Sequence, residues 1–277
     1  TKNRFGCETT PRNSKDKFLG SAFYNNNSKI VLRIISRNAN DTFDYDFFKR
    51  RIEYALNYRM KVMPNDLNAF RLIYGEADFL SGLTVDKFND VLVCQILSLG
   101  IDIRKDIILK ALYDVVSKYF KIRGIYLRCD VALREKEGLE EYVGWYDKIP
   151  VTSQETTTEI VENGLKYLVD FKEGQKTGFF LDQKYNRLTI RNLAKDMTVL
   201  DCCTHTGSFA MNAALGGAKK VMALDISQKA LLDAKKNFWL NNLNIDTYCA
   251  DLFDYLRKLV DSENKEYNLI ILDPPAF

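Results

Sequence analysis

From Thr198 onward, short apolar runs alternate with amphipathic stretches. The runs are Thr198–Cys203, Lys220–Asp225, Asp246–Ala250 and Tyr267–Asp273, separated by Ser208–Leu215, Gln228–Asn241 and Leu252–Asp261. Apolar runs bounded by polar turns read as strands, and three- to four-residue apolar spacing reads as helices. The pattern predicts βαβαβαβ, a parallel sheet with right-handed crossovers. Four strands leave such a sheet with one raw edge, so this domain is expected to be incomplete at its carboxyl end.

The preceding half has a different rhythm. Lys17–Tyr24 and Ile30–Ser36 are β-like runs around the turn residues Asn25-Asn-Asn-Ser28, since Asn tolerates the left-handed conformation. They suggest the end of a small β domain, partial, over residues 1–40. Asp44–Lys61 predicts a helix, with Phe47, Phe48, Ile52, Ala55, Leu56 and Arg59 recurring on one face, and Pro64 blocks its continuation. Strands follow at Phe70–Ile73, Leu83–Asp86, Val91–Leu97 and Gly124–Arg128, with a helix over Ile103–Phe120. The charged run Arg134–Glu141 reads as an exposed loop. Residues 41–155 therefore form a middle α+β domain. The third domain, 156–277, opens with a hairpin of Thr158–Val161 and Leu165–Phe171 around Asn163-Gly164, the strongest short turn signal in the chain.

Composition narrows the class. With 46% hydrophobic and 12% aromatic residues the chain can bury true cores. No apolar run approaches the roughly 20 residues that cross a bilayer, and Thr1–Lys17 has no signal-peptide character. The expectation is a soluble cytoplasmic protein, incomplete at both ends. None of the six cysteines shares Cys-x-x-Cys spacing, and there is one histidine, so no metal site is expected and the thiols read as reduced, mostly buried groups. Net charge is only +3, but residues 1–61 carry +7 and the remainder −4. A basic amino-terminal part suggests contact with phosphate.

Candidate chemistry lies at the strand ends. Asp201, Asp225, Asp251 and Asp273 close or follow successive strands, where α/β sheets bind ligands. Asp225 is placed to accept from both hydroxyls of a ribose, Asp251 from an adenine amino group, and Asp201 with Asp273 to hold a cationic amine. A ring of acids suits a sulfonium-bearing amino acid better than a pyrophosphate. In Thr204-His-Thr-Gly207, Gly207 allows a sharp turn, Ser208 is expected to cap the next helix, and His205 is expected to pack against the cofactor. Cys202 and Cys203 sit behind that loop, a poor place for a nucleophile. In Asp273-Pro-Pro-Ala-Phe277, two prolines stiffen the backbone and free carbonyl oxygens, while Phe277 offers a ring for stacking on a base. Gly174–Gln183 reads equally as a lid over the cofactor or as a plain turn into the helix around Arg187.

Four of these segments carry a resemblance. Gly174–Gln183, Asp201–Phe209, Cys249-Ala-Asp-Leu-Phe-Asp254 and Asp273–Phe277, in that order, resemble the RlmI-like family of bacterial rRNA methyltransferases. Gly75–Asp86 resembles the segment preceding that family's catalytic domain, with Ser81 where a proline is usual. The likeness spans roughly residues 17–277. It implies a PUA-like β domain, whose remnant would be Lys17–Ser36 although Thr1–Asp16 departs from its opening, a middle α+β domain, and a Rossmann-like class I methyltransferase domain. S-adenosylmethionine is the implied cofactor, lined by Thr177, Phe180, Asp182, Asp201, Thr204, His205, Gly207, Ser208, Asp225, Ile226, Ser227, Asp251, Leu252 and Asp273. Asp273, Pro274 and Phe277 would position the base. The implied partner is ribosomal RNA, with no membrane and a homodimer left open. The implied reaction is methylation of cytosine C5 in large-subunit rRNA, in which a cysteine thiolate adds to C6 and a base later removes the C5 proton. The family's cysteine would lie beyond Phe277, so none is nominated here. Two other readings stand beside it: a methyltransferase acting on guanine or another exocyclic amine, and a non-catalytic RNA-binding factor.

Overall fold

The computed structural model describes residues 6–263 and 265–274. The chain forms two compact units, 1–158 with 169–179, and 159–168 with 180–277.

The first unit begins with a three-stranded antiparallel sheet of β1 (Glu8–Thr9), β2 (Ser21–Tyr24) and β3 (Leu32–Ser36). Helix α1 (Tyr45–Val62) starts where the sequence predicts, because the Asp44 carboxylate accepts from the Phe47 amide at 3.0 Å. The predicted face is buried. Next come β4 (Ala69–Tyr74), β5 (Leu83–Phe88), β6 (Val91–Ile96), α2 (Leu99–Asp102), α3 (Lys105–Val116), β7 (Gly124–Cys129), α4 (Leu133–Lys136) and β8 (Tyr142–Trp145). The five strands form one sheet in sequential order, antiparallel except for β6 and β7, which α2 and α3 connect as a crossover. One apolar core joins α1, α3 and this sheet.

Two expectations from the sequence are corrected here, and one strand was not foreseen. The helix foreseen over Ile103–Phe120 is shorter at both ends, α3 running from Lys105 to Val116, and a separate short helix, α2, precedes it. The run Arg134–Glu141 is exposed only in part, and it begins on the short helix α4. Arg134 is buried on α4, bonding to the Ile96 and Glu140 carbonyls and pairing with Asp102 at 3.0 Å. Glu137 is buried as well, accepting from Asn25, Ser28 and Arg33. Tyr142–Trp145, just beyond, is an edge strand that no alternation announced.

The second unit contains the paired strands β9 (Thr157–Glu162) and β10 (Leu165–Asp170), apart from their outer ends. Asn163 and Gly164 both have positive φ, 52° and 75°, as a two-residue hairpin turn requires. Then follow α5 (Lys184–Leu193), β11 (Thr198–Cys202), α6 (Ser208–Leu215), β12 (Lys220–Asp225), α7 (Gln228–Leu240), β13 (Asp246–Cys249), α8 (Leu252–Asp261) and β14 (Leu269–Leu272). The sheet is wholly parallel in the order β13-β12-β11-β14. After β13 the chain crosses back past β11, so the strand order reverses between β11 and β14. A crevice opens at the carboxyl ends of strands at such a reversal. The α/β architecture expected from the alternation is therefore the one observed.

Candidate functional site

Each parallel strand of the second unit delivers an acid to the same edge of the sheet. Asp201 lies on β11 and Asp225 ends β12, whereas Asp251 follows β13 and Asp273 follows β14. Their electrostatic convergence is visible at Cys203, just past β11. Burial pushes its thiol pKa up first, and then Asp225, Asp201, Asp273 and Asp251 all push it further. None of the four acids has a Lys or Arg partner among the described residues.

Asp201 is almost completely buried. Its Oδ2 accepts from the Thr204 hydroxyl at 2.5 Å and from the Ala210 amide at 3.0 Å. Burial raises its pKa against those two bonds, the charges of Asp273 and Asp225 add to the rise, and the result is about 7. Asp201 thus ties the loop to the start of α6. This corrects the expectation for Ser208. The cap position of α6 is Gly207 with φ of 78°, Ser208 is already helical, and the orphan amide of Ala210 is satisfied by Asp201 from the strand. Glycine is required at 207 on two counts: the left-handed backbone, and the Phe238 ring that a Cβ would overlap.

The loop alternates in handedness, with Cys203, His205 and Gly207 at φ of 58°, 51° and 78°. Asp225 holds it from the next strand. Its Oδ2 accepts from the His205 amide and its Oδ1 from the Ser227 amide, both at 2.8 Å. A carboxylate has about four lone-pair sites, so two remain for ligand hydroxyls. Ser227 caps α7, its hydroxyl accepting from Ala230 at 3.2 Å, and Ile226 beside it is exposed. Asp251 caps α8 through one oxygen, which accepts from Phe253 and Asp254. Leu252 packs its side chain against the apolar cluster under β11 and β12.

The His205 ring meets Phe180 edge-on, with centroids 5.8 Å apart, and burial lowers the His205 pKa. Phe180 and His205, nominated separately, therefore lie together. Asp182 is exposed in a short turn before α5, and Asp273 and Pro274 are exposed past β14. Phe277 lies outside the described residues. Thr177 belongs to the first unit, where it is buried and its hydroxyl donates to Asp86 at 2.6 Å. Gly174–Phe179 is a tight turn there, with Arg128 donating to the Phe171 and Gly174 carbonyls.

Three organising residues carry no local sequence signal. Asn237 on α7 donates to the Thr206 carbonyl at 3.0 Å and accepts from the Leu168 amide at 2.9 Å, so it pins the loop to the hairpin. Arg187 forms a buried pair with Glu162 at 2.6 and 2.8 Å and holds the Phe180 carbonyl. Asn212 bonds to Tyr167, Ser208 and Arg191. A polar residue on a helix ordinarily means solvent, and these three are buried.

Comparison with known proteins gives this sheet edge a lineage. A family model described as S-adenosylmethionine-dependent methyltransferase matches residues 136–277, and a PUA-like domain model matches residues 10–37. Ribosomal RNA large subunit methyltransferase I of Pseudoalteromonas translucida is 40% identical over 98% of this chain and 68% of its own length. The chain belongs to the S-adenosylmethionine-dependent methyltransferase family. The methyltransferase I of Aeromonas salmonicida is also 40% identical, over 94% of the chain. The chain spans 65% of that relative and 64% of the one from Klebsiella pneumoniae strain 342, slightly under two thirds. A methyltransferase from Streptococcus mutans shares the fold with a TM-score of 0.83 over 99% of this chain and 70% of its own, at 24% identity. Another methyltransferase, solved in complex with SAH, aligns with a TM-score of 0.85 at 25% identity over 99% of this chain and 69% of its own.

S-adenosylmethionine is the methyl donor of this methyltransferase family, and the residues present fit it. Two cationic centres, the sulfonium and the ammonium, match an edge bearing four carboxylates without basic partners. Among the described residues no cluster of His, Cys, Asp and Glu is arranged to hold a metal ion, and no helix is long and apolar enough to cross a membrane.

Proposed function

We propose that this chain carries the methyl-donor site of a large-subunit rRNA methyltransferase, with cytosine C5 as the acceptor. The convergence of four uncompensated acids at the end of β11 supports it most directly, and the relatives named ribosomal RNA large subunit methyltransferase I supply the substrate class. The bound donor supplies an electrophilic methyl group. Asp225 accepts from the ribose hydroxyls while keeping its bonds to His205 and Ser227. Asp251 accepts from the adenine amine. Asp201 fixes the loop and, when ionised, adds negative charge opposite the cationic end. Asp273 and the Pro274 carbonyl orient the base at the outer side, with the Phe277 ring stacked on it. Cys202 and Cys203 hold their protons, since burial pushes the former up to about 12 and burial, with the four acids after it, raises the latter. Neither serves as the thiolate that C5 chemistry needs.

Asp273 followed by Pro274 also suits an exocyclic amine, whose hydrogens a carboxylate and a carbonyl would orient without a covalent step. Nucleoside mass spectrometry of large-subunit rRNA from a strain lacking the gene separates the readings. Loss of one 5-methylcytosine, restored by complementation, is the expected result. Unchanged 5-methylcytosine with a lost methylguanosine would transfer the assignment to guanine. Unchanged rRNA together with no calorimetric binding of S-adenosylmethionine would leave an RNA-binding factor.

A further inference from the structure

Helix α1 has a second surface that the cofactor pocket does not use. Its apolar face is buried in the core of the first unit. On the other side Arg50, Tyr54, Tyr58 and Lys61 follow at steps of four, four and three residues, which puts them on one stripe. Tyr54 and Tyr58 are each 60% exposed, one turn apart at about 6 Å along the axis. From Arg50 to Lys61 the stripe contains no acid. Of the two acids of α1, Asp46 lies one turn before Arg50 on the same row, and Glu53 falls on the flank, where it faces Lys49 and Lys118 at 4.0 and 3.6 Å. Arg50 pairs with Asp41 at 2.9 Å and keeps nearly half of its side chain in solvent.

Beside the stripe, the Arg51 guanidinium is sandwiched between two rings, 5.2 Å from Phe47 and 5.0 Å from Phe79. It has no carboxylate partner among the described residues, and its Nε has no hydrogen-bond acceptor. Phe79 is 57% exposed and sits at φ of 59°, a left-handed conformation that a bulky aromatic residue adopts only under constraint. Exposed rings alternating with cations, of which Arg50 and Arg51 share one acid, Asp41, form a surface with two requirements: flat apolar faces to cover the rings, and anions to meet the remaining charge. Residues 1–61, which include all of this helix up to Lys61, carry a net charge of +7.

We propose that this face of α1 docks a single-stranded segment of RNA, with bases stacked on Tyr54 and Tyr58 and phosphates on Arg50, Arg51 and Lys61. Single-stranded RNA meets both requirements, because its unstacked bases present ring faces that a duplex hides. The inference rests on the rRNA reading for its class of partner, and it assigns a docking role outside the PUA-like segment and outside the cofactor pocket.

The test is fluorescence anisotropy of the full chain with a labelled single-stranded RNA 12-mer and with the matching duplex, titrated across KCl concentrations. Stacking on each ring should contribute roughly tenfold, so Tyr54→Ala with Tyr58→Ala should weaken single-strand binding roughly 100-fold. The corresponding double Phe variant should stay within about twofold of the parent, because the ring face and not the hydroxyl makes the contact. Arg50→Gln with Lys61→Gln should lower the slope of log affinity against log salt by about 1.4, two phosphates at about 0.7 each. An unchanged thermal midpoint establishes that the exposed substitutions leave the fold intact. An affinity unmoved by the double alanine variant would overturn the proposal. Duplex binding as tight as single-strand binding, or an effect confined to self-association in sedimentation, would also overturn it. The rRNA reading fails separately, through unaltered nucleosides in the deletion strain, whatever the tyrosines do.

Discussion

Asp86 and Asp201 are both shielded from water, one in each unit, and their surroundings treat their charge in opposite ways. Asp86, on β5, receives both arms of Arg71 at 2.8 and 2.9 Å and the Thr177 hydroxyl at 2.6 Å. Its charge is neutralised within the first unit, and the result is cohesion. Asp201, on β11, receives a hydroxyl and an amide and no cation, with two further acids close enough to raise its pKa. A buried carboxylate left without a counter-charge is costly. An arriving cation can offset that cost. Charge compensation thus distinguishes the carboxylate that holds the fold from the one proposed to meet a cationic ligand.

Removing Asp86 should have the largest effect on stability. Asp86→Ala should lower unfolding free energy by about 3 kcal/mol, the low end of the range for a broken buried pair, since Arg71 keeps a third of its side chain in water. Urea unfolding checks it, and a loss under 1 kcal/mol would erase the contrast. Asp225→Ala should be milder for the fold and specific to the ligand. Loss of one to two charged hydrogen bonds should weaken S-adenosylmethionine binding by roughly 1.5–3 kcal/mol each, and calorimetry showing unaltered affinity would remove Asp225 from the ribose site.

The smallest effect is the most diagnostic. Because the folded protein holds the Asp201 proton up to about pH 7 and the unfolded chain releases it near 3.8, the native state binds more protons between those values. The contribution of this group to stability therefore declines as pH rises through that window and is level above it. Asp201→Asn should flatten that decline in the ligand-free protein, as urea unfolding at stepped pH would show. Parallel curves for parent and variant would mean that Asp201 is compensated after all. Since a cationic ligand favours the ionised form, affinity for S-adenosylmethionine should rise with pH across the same window.

One side of this contrast, the strand-end acids, was legible in the sequence. Strand-end acids stand out because the carboxyl edge of a parallel sheet is a fixed address, and the alternation after Thr198 locates that edge by period alone. The hairpin at Asn163-Gly164 and the start of α1 at Asp44 are likewise local, each set by a neighbour within four residues. What escaped depended on distant partners. Arg134 and Glu137 looked like a solvated run, yet Glu137 meets Asn25, Ser28 and Arg33, more than a hundred residues earlier. Ser208 has the right chemistry for a cap, but Asp201 reaches the amide first from the strand. Asn237, Arg187 and Asn212 sit on helices as ordinary polar residues, and only tertiary packing turns them inward.

The alternating loop has a consequence for anyone engineering this chain. Cys203 and His205 occupy left-handed backbone that glycine adopts without strain. A search for thermostable variants would therefore tend to favour glycine at both positions, while stripping the wall of side chain between Phe180 and the strand end. Stability and the proposed donor site would then be selected in opposite directions within one loop, and a library scored by melting temperature alone would remove the His205 ring from its edge-on contact with Phe180.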